Sequence, residues 1–203
     1  MSSISVKITA TADDGTEAVG DFFDDGTLLG GTWAAGFDTV TGFIYLRFLG
    51  IGIPAGSTIS AATVTCNVTT ITGTPDTAIF GVDVDDAAAF SDPGNLPSNA
   101  STTTASADAD PSGTGTHVID VTGIVAEIVA RAGWASGNDM AFVIKDNAGV
   151  GENMWYGEDL QAAGSNEAQL DVTYTAGGGG STPAQAQMRN FRGIEPGAQI
   201  GGQ

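Results

Sequence analysis

The chain has 203 residues and a formal net charge of −18, with 24 Asp and Glu against six Lys and Arg. A surface this acidic repels phosphate backbones and anionic lipid headgroups, which argues against nucleic-acid and membrane-surface partners. With 41% hydrophobic residues, 15% charged residues and 30 Gly, the length allows one sizeable core plus an appendage, of a turn-rich all-β kind rather than a helical one.

Alternation begins at Ile4-Ser-Val-Lys-Ile-Thr-Ala10, which puts Ile4, Val6 and Ile8 on one face of a strand. Asp13-Asp14-Gly15 turns the chain, and the Gly- and Asp-rich stretch through Phe37 reads as a long loop or short edge strands anchored by Phe22, Phe23 and Trp33. Gly42-Phe-Ile-Tyr-Leu-Arg-Phe-Leu49 is apolar on both faces, as a strand covered on both sides requires. After a turn at Ile53-Pro-Ala-Gly-Ser57, residues 58–70 form a long strand with Ala62, Val64, Cys66 and Val68 on one face and Thr63, Thr65 and Asn67 on the other. A further strand at 79–84 is expected to turn Phe80, Val82 and Val84 inward, and 85–115 reads as an irregular excursion.

Ile124, Val125, Ile128, Val129 and Ala132 recur at helical spacing, so one short helix is expected over about 122–132. Thr122 or Asp120 can cap its start, Gly133 can end it, and Glu127 with Arg131 makes a favourable i,i+4 pair. Strands at 140–145, 153–156 and 168–174 complete the domain. Eight or so strands with one short helix indicate an all-β, two-sheet sandwich.

After Tyr174 the pattern changes. Gly177-Gly-Gly-Gly-Ser181 is a linker, and the 27 residues 177–203 contain eight Gly. With Arg189 and Arg192 against Glu195 the tail carries +1, which leaves −19 on the preceding part. A flexible linker of about nine residues has a root-mean-square reach of roughly 15–18 Å. Met188, Phe191 and Ile194, with Arg189 and Arg192 beside them, form a small amphipathic anchor suited to docking on a partner. The expected division is a β-sandwich domain over 1–175 and a flexible linker with docking peptide over 176–203.

Chemistry-bearing residues are sparse. Cys66 stands alone, so neither an intrachain disulfide nor a thiolate metal cluster can form, and it reads as a small core residue. His117 is the one histidine and has no Gly-x-Ser-x-Gly motif near it, which gives a catalytic triad no support. No carboxylate pair stands out for glycoside hydrolysis, and no enzymatic activity is expected. The candidate cofactor is a structural calcium at Asp13, Asp14 and Glu17, around a Gly turn. Asp24-Asp25-Gly26 and Asp83-Val-Asp85-Asp86 are further oxygen-rich clusters, and the competing reading of all three is a solvated acidic loop. Trp33, Phe37, Trp155 and Tyr156 are candidates for stacking on sugar rings, against the alternative of burial at sheet edges. The N-terminus has no basic region followed by an apolar run, so neither a cleaved signal nor a membrane anchor is expected.

Three segments carry a family resemblance. Tyr45-Leu-Arg-Phe48 followed by Ile53-Pro-Ala-Gly-Ser-Thr-Ile-Ser-Ala-Ala-Thr-Val64, then Val118-Ile-Asp-Val-Thr-Gly-Ile-Val-Ala-Glu-Ile-Val-Ala-Arg-Ala-Gly-Trp134 with Ser136-Gly-Asn138, and finally Glu167-Ala-Gln-Leu-Asp-Val-Thr-Tyr174 resemble DNRLRE-type and related carbohydrate-binding-module-like jelly rolls. The resemblance spans about residues 4–175 and implies a two-sheet jelly roll of a surface, adhesion or matrix kind, without enzymatic activity. Together with the tail, it leads to the expectation of a structural virion protein at the virion surface, assembled in a host cytoplasm. Such a protein would be a phage capsid-decorating or other head or tail accessory, its partners being other virion subunits or further copies of itself. The alternative is an extracellular adhesion or carbohydrate-binding module at a bacterial surface, with glycan partners.

Overall fold

The computed structural model of the protein describes residues 1–24, 32–35, 41–147, 154–158 and 166–177. Twelve strands and one helix are found there: β1 (Ser2–Lys7), β2 (Asp14–Ala18), β3 (Phe22–Asp24), β4 (Thr32–Ala35), β5 (Gly42–Phe48), β6 (Thr58–Thr72), β7 (Thr77–Val82), β8 (Thr102–Asp108), β9 (Gly115–Asp120), α1 (Thr122–Val129), β10 (Met140–Asp146), β11 (Met154–Glu158) and β12 (Gln169–Thr175). They form two antiparallel sheets packed face to face, an all-β two-sheet sandwich. The first sheet has the order β1-β12-β6-β11-β4 with β9 also on β6, and the second has the order β3-β2-β5-β10-β7-β8.

The 15-residue β6 organises the first sheet. Val68 pairs with Gly115 of β9 and with Gly157 of β11, so those strands lie on opposite edges. β12 overlaps β9 opposite residues 63–65, which places β12 on the β11 edge, the two running end to end along β6. The alternation expected of β6 is present: Ala62, Val64, Cys66 and Val68 are buried, while Thr63, Thr65 and Asn67 are half-exposed on the outer face.

Between the sheets lies the main core, with Ile44, Leu46 and Phe48 of β5, Phe142 and Ile144 of β10, Leu170 and Val172 of β12, and Ile124, Val125, Ile128 and Val129 of α1. Tyr45 belongs to a second apolar cluster on the outer face of the second sheet, with Ala87, Phe90, Ala141 and Val143. β5 and β10 are therefore covered on both sides, which is why Phe43–Leu46 and Met140–Ile144 run apolar on both faces, with Arg47 and Lys145 breaking the run near the strand ends. The cover is the segment 83–101, which runs as a strap across that outer face.

Several sequence expectations are corrected. Ile79 is the β7 residue that enters the main core, while Phe80 and Val82 pack under the strap, to which Val84 itself belongs. A strand buried on both faces has no solvent side to orient its alternation. The stretch 85–115 resolves into the strap followed by β8, whose sequence Thr-Thr-Thr-Ala-Ser-Ala-Asp lacks an apolar face to announce it. β2, expected within a loop or at an edge, is an interior strand between β3 and β5 and buried at all five residues.

The helix spans 122–129 rather than 122–132, ending at Ala130 without a left-handed glycine. Its N-cap residue is Val121, and Asp120 takes the Thr122 N–H at 2.9 Å. Glu127 does not pair with Arg131. It accepts the Thr104 and Ala105 backbone N–H groups at 2.7 and 2.8 Å, tying α1 to β8. Arg131 reaches Asp85 at 2.8 Å and also holds Asp83. Gly133 serves close approach, since a Cβ there would collide with the Asp85 carboxylate.

Candidate functional site

The proposed calcium ligands do not converge. The Asp13 carboxylate is buried against Arg47, with Nη1 2.7 Å from Oδ1. Glu17 accepts the Ser98 N–H and hydroxyl at 2.7 and 2.6 Å. Asp14 sits between them on the opposite face of the pleat, paired in register with Leu46, whose side chain enters the main core. The Asp83-Val-Asp85-Asp86 cluster is used in folding: Asp83 and Asp85 hold Arg131, and Asp86 takes the Asp139 N–H at 2.8 Å. Among the described residues, no group of three His, Cys, Asp or Glu side chains is placed to hold a metal ion.

The stacking platform loses one member. Trp155 has no exposed surface, donates its ring N–H to Thr77 Oγ1 at 3.2 Å, and meets the edge of His117 at a centroid distance of 6.0 Å. It is a core residue and offers no ring face to a sugar. Trp33 and Tyr156 are described through their backbones alone, in β4 and β11, where Tyr156 pairs with Ala34. Phe37 lies outside the described residues, as do the docking residues Met188, Arg189, Phe191, Arg192 and Ile194, and Asp25 and Gly26 of the second acidic cluster.

His117 faces inward from β9 and sits beside the Ala109 carbonyl, 3.2 Å from Nε2. Burial lowers its pKa, opposed by that carbonyl and by Asp108 and Asp110. Burial pushes the Cys66 thiol up to about 12, so no nucleophilic thiolate forms there near neutral pH.

The feature that sequence reasoning missed is the strap and the surface it creates. Under it Tyr45 is stacked parallel to Phe23 at 5.4 Å and tilted against Phe90 at 4.8 Å. The Tyr45 ring crosses β2 at Gly15, where a Cβ would approach its Oη to 2.6 Å and its Cζ to 2.8 Å, so only glycine fits. Arg47 bridges the strap to the sheet, donating to the Ala87 carbonyl at 2.8 Å and to Asp13 and Asp139 at 2.7 and 2.6 Å.

Where the strap meets the β2–β3 turn there is an open cavity of about 170 Å³, lined by Glu17, Ala18, Gly20, Asp21, Phe23, Asp92 and Leu96. Phe23 and Leu96 are half-buried, whereas Asp21 and Asp92 are exposed. Neither of these two carboxylates forms an ion pair with a described residue. Val19, on the same turn, is 40% exposed. The result is an apolar floor with an acidic rim. Composition hints at it only through the Asp residues, because its floor comes from residues more than 70 positions apart.

A second depression, of about 160 Å³, lies on the first sheet and is polar. Lys7, paired with Glu167 at 3.2 Å, borders it, and Thr65, Asn67, Thr116 and Gln169 contribute to its lining.

No protein-family model matches the chain, and a search of curated proteins returns no match.

Proposed function

We propose that the protein is a non-enzymatic structural module of a virion, a capsid-decorating or other head or tail accessory protein that attaches through its C-terminal peptide. The observation that carries this reading is the position of β12. It is hydrogen-bonded on both edges, to β1 and to β6, and ends at Thr175. β12, the last strand among the described residues, thus precedes the Gly-rich stretch, which supports reading the amphipathic peptide beyond it as an attachment segment. The Asp13, Glu17, Asp83, Asp85, Asp86, Arg47 and Arg131 groups described above are engaged in ion pairs and hydrogen bonds to backbone, which suits a scaffold more than a catalyst. An acidic body facing solvent keeps such particles apart by charge repulsion.

The test is deletion of 177–203. The shortened protein should keep its cooperative thermal transition and fail to join particles; normal incorporation would remove the proposal.

One observation favours a second reading, a glycan-binding module. The polar depression near Lys7 and Glu167 presents amide and hydroxyl groups suited to a neutral polyhydroxyl ligand. Glycan-array binding that survives tail deletion and falls in Asn67→Ala would support it.

A further inference from the structure

We infer that the tail segment 188–194 of one copy docks in the acidic-rimmed groove at Phe23, Leu96, Asp21 and Asp92 of a second copy, so that the protein assembles head to tail. The inference rests on the tail being a docking peptide, as proposed above, and adds the identity of its partner.

The first argument is complementarity. Met188, Phe191 and Ile194 are apolar and are interleaved with Arg189 and Arg192, in a chain that has only six basic residues. The groove offers the matching arrangement, an apolar floor of Phe23, Leu96 and Ala18 beside the exposed Asp21 and Asp92. Its volume of about 170 Å³ suits one large side chain such as Phe191. Arginine flanking an inserted aromatic, opposite exposed carboxylates, gives both burial and charge-assisted hydrogen bonds.

Position supplies the second argument. The chain leaves the sandwich at Gly177, packed on the Gly56 backbone, in the turn that follows the end of β5. Tyr174 fixes this end by donating to the Gly52 carbonyl at 3.3 Å. The groove is at the other end, where Ala18 pairs with Gly42 at the start of β5. Six residues of β5 separate the two ends, about 20 Å along the strands, with the roughly 10 Å between the sheets to be crossed as well. Met188 is eleven residues beyond Gly177. On coil statistics, Phe191, fourteen residues beyond Gly177, has a root-mean-square reach of roughly 19–22 Å. The path to its own groove runs around the body of the domain, roughly 30 Å along those two legs, so it exceeds that reach. A neighbour stacked end on end presents its groove close to the exit point. Because the two contacting surfaces differ, the association is heterologous and builds a ring where the rotation closes and a chain where it does not.

The experiment uses full-length protein in sedimentation velocity over a concentration series. Wild type should associate progressively, and less so at high salt, since Arg–carboxylate contacts are screened. Phe191→Ala and the double variant Asp21→Arg/Asp92→Arg should each weaken association by about tenfold or more. Asp21→Asn/Asp92→Asn should weaken it to a smaller extent, and unchanged thermal transitions would show that these exposed changes leave the fold intact. Mixing Phe191→Ala with the Asp21→Arg/Asp92→Arg protein should give a dimer that grows no further, because only one tail and one groove in the mixture remain competent. Wild type that stays monomeric at every concentration overturns the inference, as does association indifferent to the groove variants. If the protein is monomeric and tail deletion still abolishes particle incorporation, the self-docking inference fails while the proposed function stands.

Discussion

The Glu17 carboxylate receives both the backbone N–H and the hydroxyl of Ser98, at 2.7 and 2.6 Å, across 81 positions of sequence. It is the clasp between the strap and β2, and only 3% of Glu17 is exposed. Glu17→Ala should destabilise the protein by about 1.5–3 kcal/mol, the range for hydrogen bonds to a charged group. Hydrogen exchange at Ser98 and its neighbours should accelerate more than exchange in β6. Equal acceleration in both places would mean that the clasp does not act locally.

Arg47 joins three separate segments through Asp13, Asp139 and the Ala87 carbonyl. Removing its charge in Arg47→Met leaves Asp13 buried without compensation, a change expected to cost about 3–5 kcal/mol at neutral pH. Burial already holds the Asp13 carboxyl above its ordinary pKa, against the pull of Arg47. In the variant that rise should grow, so the defect should shrink as pH falls and Asp13 takes up a proton. Urea titrations at neutral and acidic pH measure this; a defect independent of pH would contradict it.

Two glycines near α1 should respond in opposite ways. A Cβ on Gly81 would stand 2.6 Å from Ile124 Cγ2 and 2.7 Å from Ile128 Cδ1, whereas one on Gly123 would meet Ala105 Cβ at an ordinary 3.7 Å. Gly81→Ala should therefore cost about 1–3 kcal/mol through overpacking. Gly123→Ala, inside the helix, should be neutral or stabilising by about 0.5–1 kcal/mol. Chemical denaturation of the two variants compares them directly.

How much of this was legible depended on whether a residue's partner was local. In β6 the alternation of Val64, Cys66 and Val68 with Thr63, Thr65 and Asn67 is written in the strand itself, and it places both faces. In β2 the sequence Asp-Gly-Thr-Glu-Ala has no such pattern. Asp13 beside it and Glu17 within it are buried because Arg47 and Ser98 lie opposite them, 34 and 81 positions away. Glu127 and Arg131 have the spacing of an intrahelical pair, and each found a stronger tertiary partner instead. Trp155 looked available for a ligand because aromatic character alone does not distinguish a core ring from an exposed one. The groove was invisible for the same reason as β2: Phe23 and Leu96 acquire meaning only when the strap brings them together.

The last prediction concerns pH. His117 is the only histidine, and its ring lies between the Ala109 carbonyl and Trp155, with Asp108 and Asp110 nearby. Burial depresses its folded pKa below the roughly 6.5 of the unfolded chain. A depressed folded pKa means that the unfolded state binds the proton more readily. The stabilising contribution is then fully present above about pH 6.5 and is lost as pH falls through the folded value. Asp110 acts in the opposite direction, because burial raises its pKa despite the hydrogen bonds from Thr77. Its contribution is present below the ordinary Asp value of about 3.9 and is lost as pH rises through the raised one. The histidine effect should therefore dominate just below neutrality and the aspartate effect at lower pH. His117→Gln keeps a donor for the Ala109 carbonyl and removes the titration, so its thermal midpoint should stay flatter than wild type between about pH 7 and pH 5. Parallel curves for the two proteins over that interval would show that His117 does not set the acid limb.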